Sequence, residues 1–305
     1  MPAALHETRE RDGGFIIVAV LWIMLALATL ASIYAAYVVR TAYAVGPSDD
    51  RVNAEALFTA ALELTAYRLT AAPKEDRPSN GRFDFRLGRA TVVEEFHSES
   101  GRIDLNMAPK PLLSNLFVAL GAKSDAADQY ADRIVAWRTA GAQGGEADAE
   151  ADAYRVAGRN YKPRRGPFQD VGELWLVLGL PPAWVERAMA NITVFSGIPQ
   201  VNVLDAPPFV LAALPGIGAE QVNGVLAARQ SPRPDGKAIL ASLGTAQGSA
   251  TVEPSRSIRV SVGIRFDSGT RATAEIVILL GDDADEPYRV LSWRDDFDQI
   301  APAGE

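Results

Sequence analysis

The first strong pattern along the chain is an apolar run from Phe15 to Val39 that contains no charged residue. About 20 apolar residues in helical form, each rising about 1.5 Å, cross the hydrocarbon core of a bilayer, so the run predicts a membrane-spanning helix. A secretory signal has an apolar core of roughly 7–15 residues, and the greater length here predicts a helix that is kept rather than removed. From Ala36 to Leu69 the chain continues in Ala, Leu and Tyr with few helix breakers before Ala72-Pro73. The exception is Gly46-Pro47, so this stretch reads as a helical stalk with one kink.

Past a Pro/Gly/Asn-rich linker at Pro73–Gly81 the period of apolar residues changes to two. Phe83 to Val93 alternates around a glycine and predicts a hairpin. The same alternation returns near the end of the chain at 257–266, 273–280 and 288–293, with Asp267-Ser-Gly269 and Gly281-Asp-Asp283 at the turns. Between these strand regions the pattern is helical, near 124–139, 170–178 and 183–191, the last two joined by Gly179–Pro182. Two segments of the middle resemble each other: Ile103-Asp-Leu-Asn-Met-Ala-Pro109, and Val201-Asn-Val-Leu-Asp-Ala-Pro207. Each reads as a short strand entering a Pro-initiated helix, with Asp205 at an N-cap position. The expected class is α+β: a sheet interrupted by a large helical insertion.

The chain has 305 residues, 48% of them hydrophobic and 22% charged, enough for one large core or two smaller ones. Its net charge is −8. Arg9, Arg11 and Arg40 balance Glu7, Glu10 and Asp12 in the first 41 residues, which leaves the excess negative charge on the body. A polyanion is therefore a poor default partner. The absence of cysteine excludes disulfides, thiolate nucleophiles and thiolate metal sites. Arg9 and Arg11 precede the apolar run and Arg40 and Arg51 follow it, so charge gives only a weak vote for an internal N-terminus.

The junction Arg9-Glu-Arg-Asp-Gly-Gly14-Phe15 resembles a type IV prepilin cleavage site. The resemblance implies cutting by a prepilin peptidase after Gly14, with Phe15 as the methylated first residue of the mature chain. Most pilins place a glutamate at the fifth mature position; here that position is Ala19. Behind this junction come Gly101–Pro109, Ile134-Val-Ala-Trp-Arg138, Glu150-Ala-Asp-Ala-Tyr154, Gly166–Leu174 and Val201–Gly216. In this order the segments resemble the minor pseudopilin K family of the type II secretion system (general secretion pathway protein K). The resemblance implies a leader at 1–14, a transmembrane helix at 15–39, a stalk at 40–72 and a first part of a pilin-like α/β domain at 73–105. An inserted helical domain of SAM-like or helix-hairpin-helix-like form is expected at 106–199, and a helix-hairpin-like segment with the remainder of the α/β domain at 200–305. It further implies a single-pass inner-membrane protein of a Gram-negative bacterium with a periplasmic body, placed at a pseudopilus tip beside minor pseudopilins of the I, J and H types. Calcium binding in the family uses an acidic loop after the tryptophan that corresponds to Trp137; this sequence has no carboxylate there before Glu146, so the acidic stretch 146–152 reads as a solvated loop, with Glu150 and Asp152 the only calcium candidates to name.

Leu214-Pro-Gly-Ile-Gly218 followed by Val222, Val225 and Arg229 also matches a helix-hairpin-helix, whose amides can hold a DNA phosphate. This supports the alternative of a membrane-anchored DNA-binding protein. Against it, Arg229, Arg233 and Lys237 only balance Asp205, Glu220 and Asp235 between residues 201 and 244. A basic run at Arg159, Lys162, Arg164 and Arg165 reads as a solvated face. The two histidines, His6 and His97, accompany no nucleophile motif, and no enzyme is expected.

Overall fold

The computed structural model describes residues 12–73, 77–140, 145–231, 234–281 and 286–298, with the side chains of 12–16, 38–49 and 145–150 left out. The first element, α1 (Asp12–Ala71), is a single helix of 60 residues that passes through Gly46-Pro47 without a break in its assignment. Its two halves follow different rules. Ile17–Tyr37 is long and apolar enough to span a membrane, and none of it is buried within the molecule. In the second half Ala54, Leu57, Phe58, Ala61, Leu62, Ala66 and Leu69 recur at helical spacing, and all are buried. That stripe lies on a sheet.

The sheet has five antiparallel strands, β1 (Asn80–Leu87), β2 (Ala90–Ser98), β7 (Ser257–Phe266), β8 (Arg271–Leu280) and β9 (Tyr288–Asp298), in the order β1-β2-β7-β8-β9. Alternate residues of β2, β7 and β8 face α1: Val92 and Phe96; Ile258, Val260, Val262 and Ile264; Ala272, Ile276 and Ile278. Phe58 of α1 meets Trp293 of β9 edge to face, 6.4 Å between centroids. The Tyr288 hydroxyl donates to Glu63 at 2.7 Å.

Ser98, the last residue of β2, stands opposite Ile258 of β7 in register. The whole insertion therefore leaves and re-enters the sheet across one strand spacing, about 4.8 Å, which disturbs the ladder no more than a hairpin loop would. It holds β3 (Ile103–Asp104), α2 (Lys110–Ala119), α3 (Ser124–Arg138), α4 (Gly145–Val156), α5 (Pro182–Met189) and β4 (Ile192–Thr193). A second set follows: β5 (Val201–Asn202), α6 (Pro208–Ala212), α7 (Ala219–Ala228), α8 (Gly236–Ser242) and β6 (Ala250–Thr251). One apolar cluster runs from Ile103 to Ala250 through both sets. The helix-hairpin segment, grouped with the second half of the sheet on sequence grounds, packs into this cluster, and the sheet resumes only at Ser257.

The two similar segments occupy equivalent places. β3 pairs in parallel with β4, and β5 with β6. Pro109 and Pro207 are the N-caps of α2 and α6. Asp205 is not an N-cap, since it lies two residues before Pro207, and its carboxylate accepts from Ser79, Asn80 and Asn202 at 2.7–3.0 Å. The segment near 170–178 forms a 3₁₀ turn, Val171–Leu176, capped by the Asp170 side chain.

Candidate functional site: the apolar anchor and the joint of the inserted domain

Residues 1–11 of the leader lie outside the described residues. Gly14 and Phe15 fall in the first turns of α1, and Ala19 is a partly exposed position of the apolar segment. The residues of this segment that line the fully exposed face include Leu21, Trp22, Leu25, Leu30 and Ile33. A helix this apolar and this exposed cannot remain in water without a covering phase.

The joint between sheet and insertion is polar. Glu99, directly after β2, is fully buried and takes Arg259 of β7 through both oxygens, at 2.7 Å and 3.0 Å. Arg259 also bonds Glu275 of β8, and Thr193 of β4 donates its hydroxyl to Glu99. Burial alone would lower the pKa of Arg259, but the hydrogen bond and charge of Glu99 outweigh it and hold the guanidinium more firmly charged. Ser255 completes the joint: its amide donates to the hydroxyls of Ser98 and Ser100 at 3.0 Å and 3.1 Å, and its own hydroxyl to the carbonyl of Ser196 at 2.8 Å. Arg294 of β9 bonds Asp170, a further tie between sheet and insertion. Periodicity could not reveal this joint, because its partners are up to 160 residues apart.

Inside the insertion each repeat is closed by an arginine. Arg138, at the end of α3, donates to the carbonyls of Leu105 and Ala108 at 2.5 Å and 2.6 Å. Arg229, the C-cap of α7, donates to those of Val203 and Ala206. Burial lowers the pKa of both guanidiniums, opposed by the charge of Asp104 in one case and Asp205 in the other. The hairpin glycines are also engaged: the amide of Gly218 donates to Gln221 at 2.7 Å, and a Cβ on Gly216 would come within 2.5 Å of Thr245. The Gly218 amide is thus already satisfied within the hairpin. In the basic run, Arg164 forms two hydrogen bonds of 2.6 Å to Glu173.

The acidic stretch 146–152, read from the sequence as a solvated loop, is part of helix α4. Its Ala and Glu residues are strong helix formers, and Tyr154 anchors the helix beside Trp137 and Tyr161. Asp152 is tied to Arg155 at 3.2 Å, while the side chain of Glu150 lies outside the described ones. Among the described residues no group of three or more His, Asp or Glu is placed to hold a metal. His97 pairs with Glu95 on the exposed sheet face at 2.9 Å.

Residues 94–197 match the family model for the type II secretion system (T2SS), protein K. Over this stretch the chain resembles type II secretion system protein K. The matched protein K segment begins on β2 at Glu94, passes through the joint and ends just beyond β4. The fold is similar to a chain of the crystal structure of the GspK–GspI–GspJ complex from the type 2 secretion system of enterotoxigenic Escherichia coli. The two share 16% identity with a TM-score of 0.57, over 83% of this chain and 98% of that one. No curated protein sequence matches the chain.

Proposed function

We propose that this chain is a minor pseudopilin of a type II secretion system that caps the tip of the pseudopilus and initiates its assembly, and so supports protein export across the outer membrane. The observation that carries the reading is a segment matching the protein K model, set between neighbouring strands of a sheet that packs on a long helix whose N-terminal half is apolar and uncovered. In this reading the precursor enters the inner membrane, a prepilin peptidase cuts after Gly14, and Phe15 becomes the first residue. The body then stands in the periplasm beside I-, J- and H-type minor pseudopilins. Likeness to a chain of the GspK–GspI–GspJ complex supports partners of that kind.

Ala19 supports the tip position. A subunit within a shaft repeats head to tail, and a free terminal amine buried in its apolar core needs a carboxylate partner. Ala19 offers none to a subunit ahead, and the inserted domain would crowd a wound shaft. Labelling the chain and counting copies along isolated filaments tests this: about one copy at one end is expected, and regular decoration along the shaft would overturn it. Intact-mass analysis after co-expression with a prepilin peptidase tests the processing step, with Phe15 expected at the N-terminus.

A further inference from the structure

The inward face of β2 reads Ala90, Val92, Glu94, Phe96 and Ser98, with Glu94 its one ionisable residue. Glu94 has no exposed surface, and neither of its carboxyl oxygens has a hydrogen-bond partner. Phe83 of β1 and Val262 of β7 stand beside it in register, with Ala274 of β8 beyond. Helix α1 closes the site from the other side, where the buried hydroxyl of Thr65 is likewise unpartnered. Arg68 of α1 lies over the Phe83 ring, 4.0 Å from its centre, and is the charged group that acts on Glu94. The other charges nearby, Arg82 and Asp84 of β1, Glu95 of β2, Arg259 of β7 and Glu275 of β8, alternate onto the opposite face of the sheet. Asp295 is exposed on β9, three strands away. Glu63 of α1 is exposed and bonded to Tyr288.

We propose that Glu94 is a proton-controlled latch between the stalk helix and the sheet: neutral, it lets α1 lie closed on the strands, and ionised, it loosens that contact by drawing Arg68 away from Phe83. A carboxylate without partners in an apolar layer is strongly disfavoured, whereas the acid is tolerated. Burial accordingly pushes the Glu94 carboxyl from 4.5 to about 8, and Arg68 pulls it only part of the way back. The folded chain therefore keeps a proton that the unfolded chain releases. This stability is fully present below pH 4.5 and is lost as pH rises through about 8. The contact so governed is the one through which the anchored half of α1 carries the body. The latch does not depend on where in a filament the chain resides.

The test is denaturant unfolding of the full chain in detergent across this pH range. The wild-type folding constant is expected to fall by up to about tenfold per pH unit within the window and to level off above it. Glu94→Gln should abolish that slope and be the more stable form at the alkaline end. Arg68→Ala should move the upper end of the window to still higher pH. An unchanged slope in Glu94→Gln would overturn the proposal. If that variant does not fold, infrared spectra of the wild type decide. A carboxylic-acid C=O band present at neutral pH and lost on passing the upper end of the window supports the latch, and its absence at neutral pH refutes it.

Discussion

Glu99 and Arg259 are the residues whose loss the body tolerates least. Their side chains are only 1% and 10% exposed, so removing one leaves the other charge buried without a partner. Glu99→Gln should destabilise the chain by about 3–5 kcal/mol in chemical denaturation. Replacing Glu99 and Arg259 together by leucine should cost much less, because no orphan charge remains. Arg229 makes the same argument at smaller scale. The sequence places it in the helix-hairpin-helix match, and its guanidinium caps the carbonyls of Val203 and Ala206. Arg229→Ala should cost about 1.5–3 kcal/mol, with a similar loss for Arg138→Ala, read from unfolding midpoints. Glu94 lies one residue past the alternation read from Phe83 to Val93, and its role was not legible, since the α1 residues that seal it are about 30 positions upstream.

At the scale of elements, the long helix, the antiparallel strands and the paired strand-to-helix segments are all written in local periodicity, and the structure contains them. The failures have local causes as well. Alternating Ala and acidic residues at 146–152 look like a loop until the helix propensity of Ala and Glu and the anchoring Tyr154 are counted together. Gly46-Pro47 suggests an interruption, yet α1 continues through it. The end of the insertion was hidden because the helices of both repeats carry the same pattern, and only the shared cluster from Ile103 to Ala250 joins them. The contact of α1 with the sheet can be probed where Phe58 meets Trp293. Phe58 is 2% exposed, so Phe58→Ala should cost about 3–5 kcal/mol and blunt the near-ultraviolet signal of Trp293.

At the scale of the whole molecule, the two apolar clusters account for all buried hydrophobic side chains among the described residues except Val277, and neither draws on the segment Ile17–Tyr37. The span is thus an anchor whose apolar surface is covered by something outside this chain, while the body carries its own cores. A chain beginning at residue 42 retains the buried stripe of α1, the five strands and the complete insertion. Among the described side chains it loses only Ile17–Tyr37, which the folded molecule leaves uncovered, and the joint of Glu99, Arg259 and Thr193 stays intact. Such a truncated chain should therefore fold without detergent, and its thermal midpoint should lie within about 2–4 °C of the full chain in detergent, a difference near 1 kcal/mol. Circular dichroism melts of the two forms make the comparison. A truncated body that aggregates or melts far lower would mean that the anchor half of α1 supports the fold, and the separation of anchor from body would then be wrong.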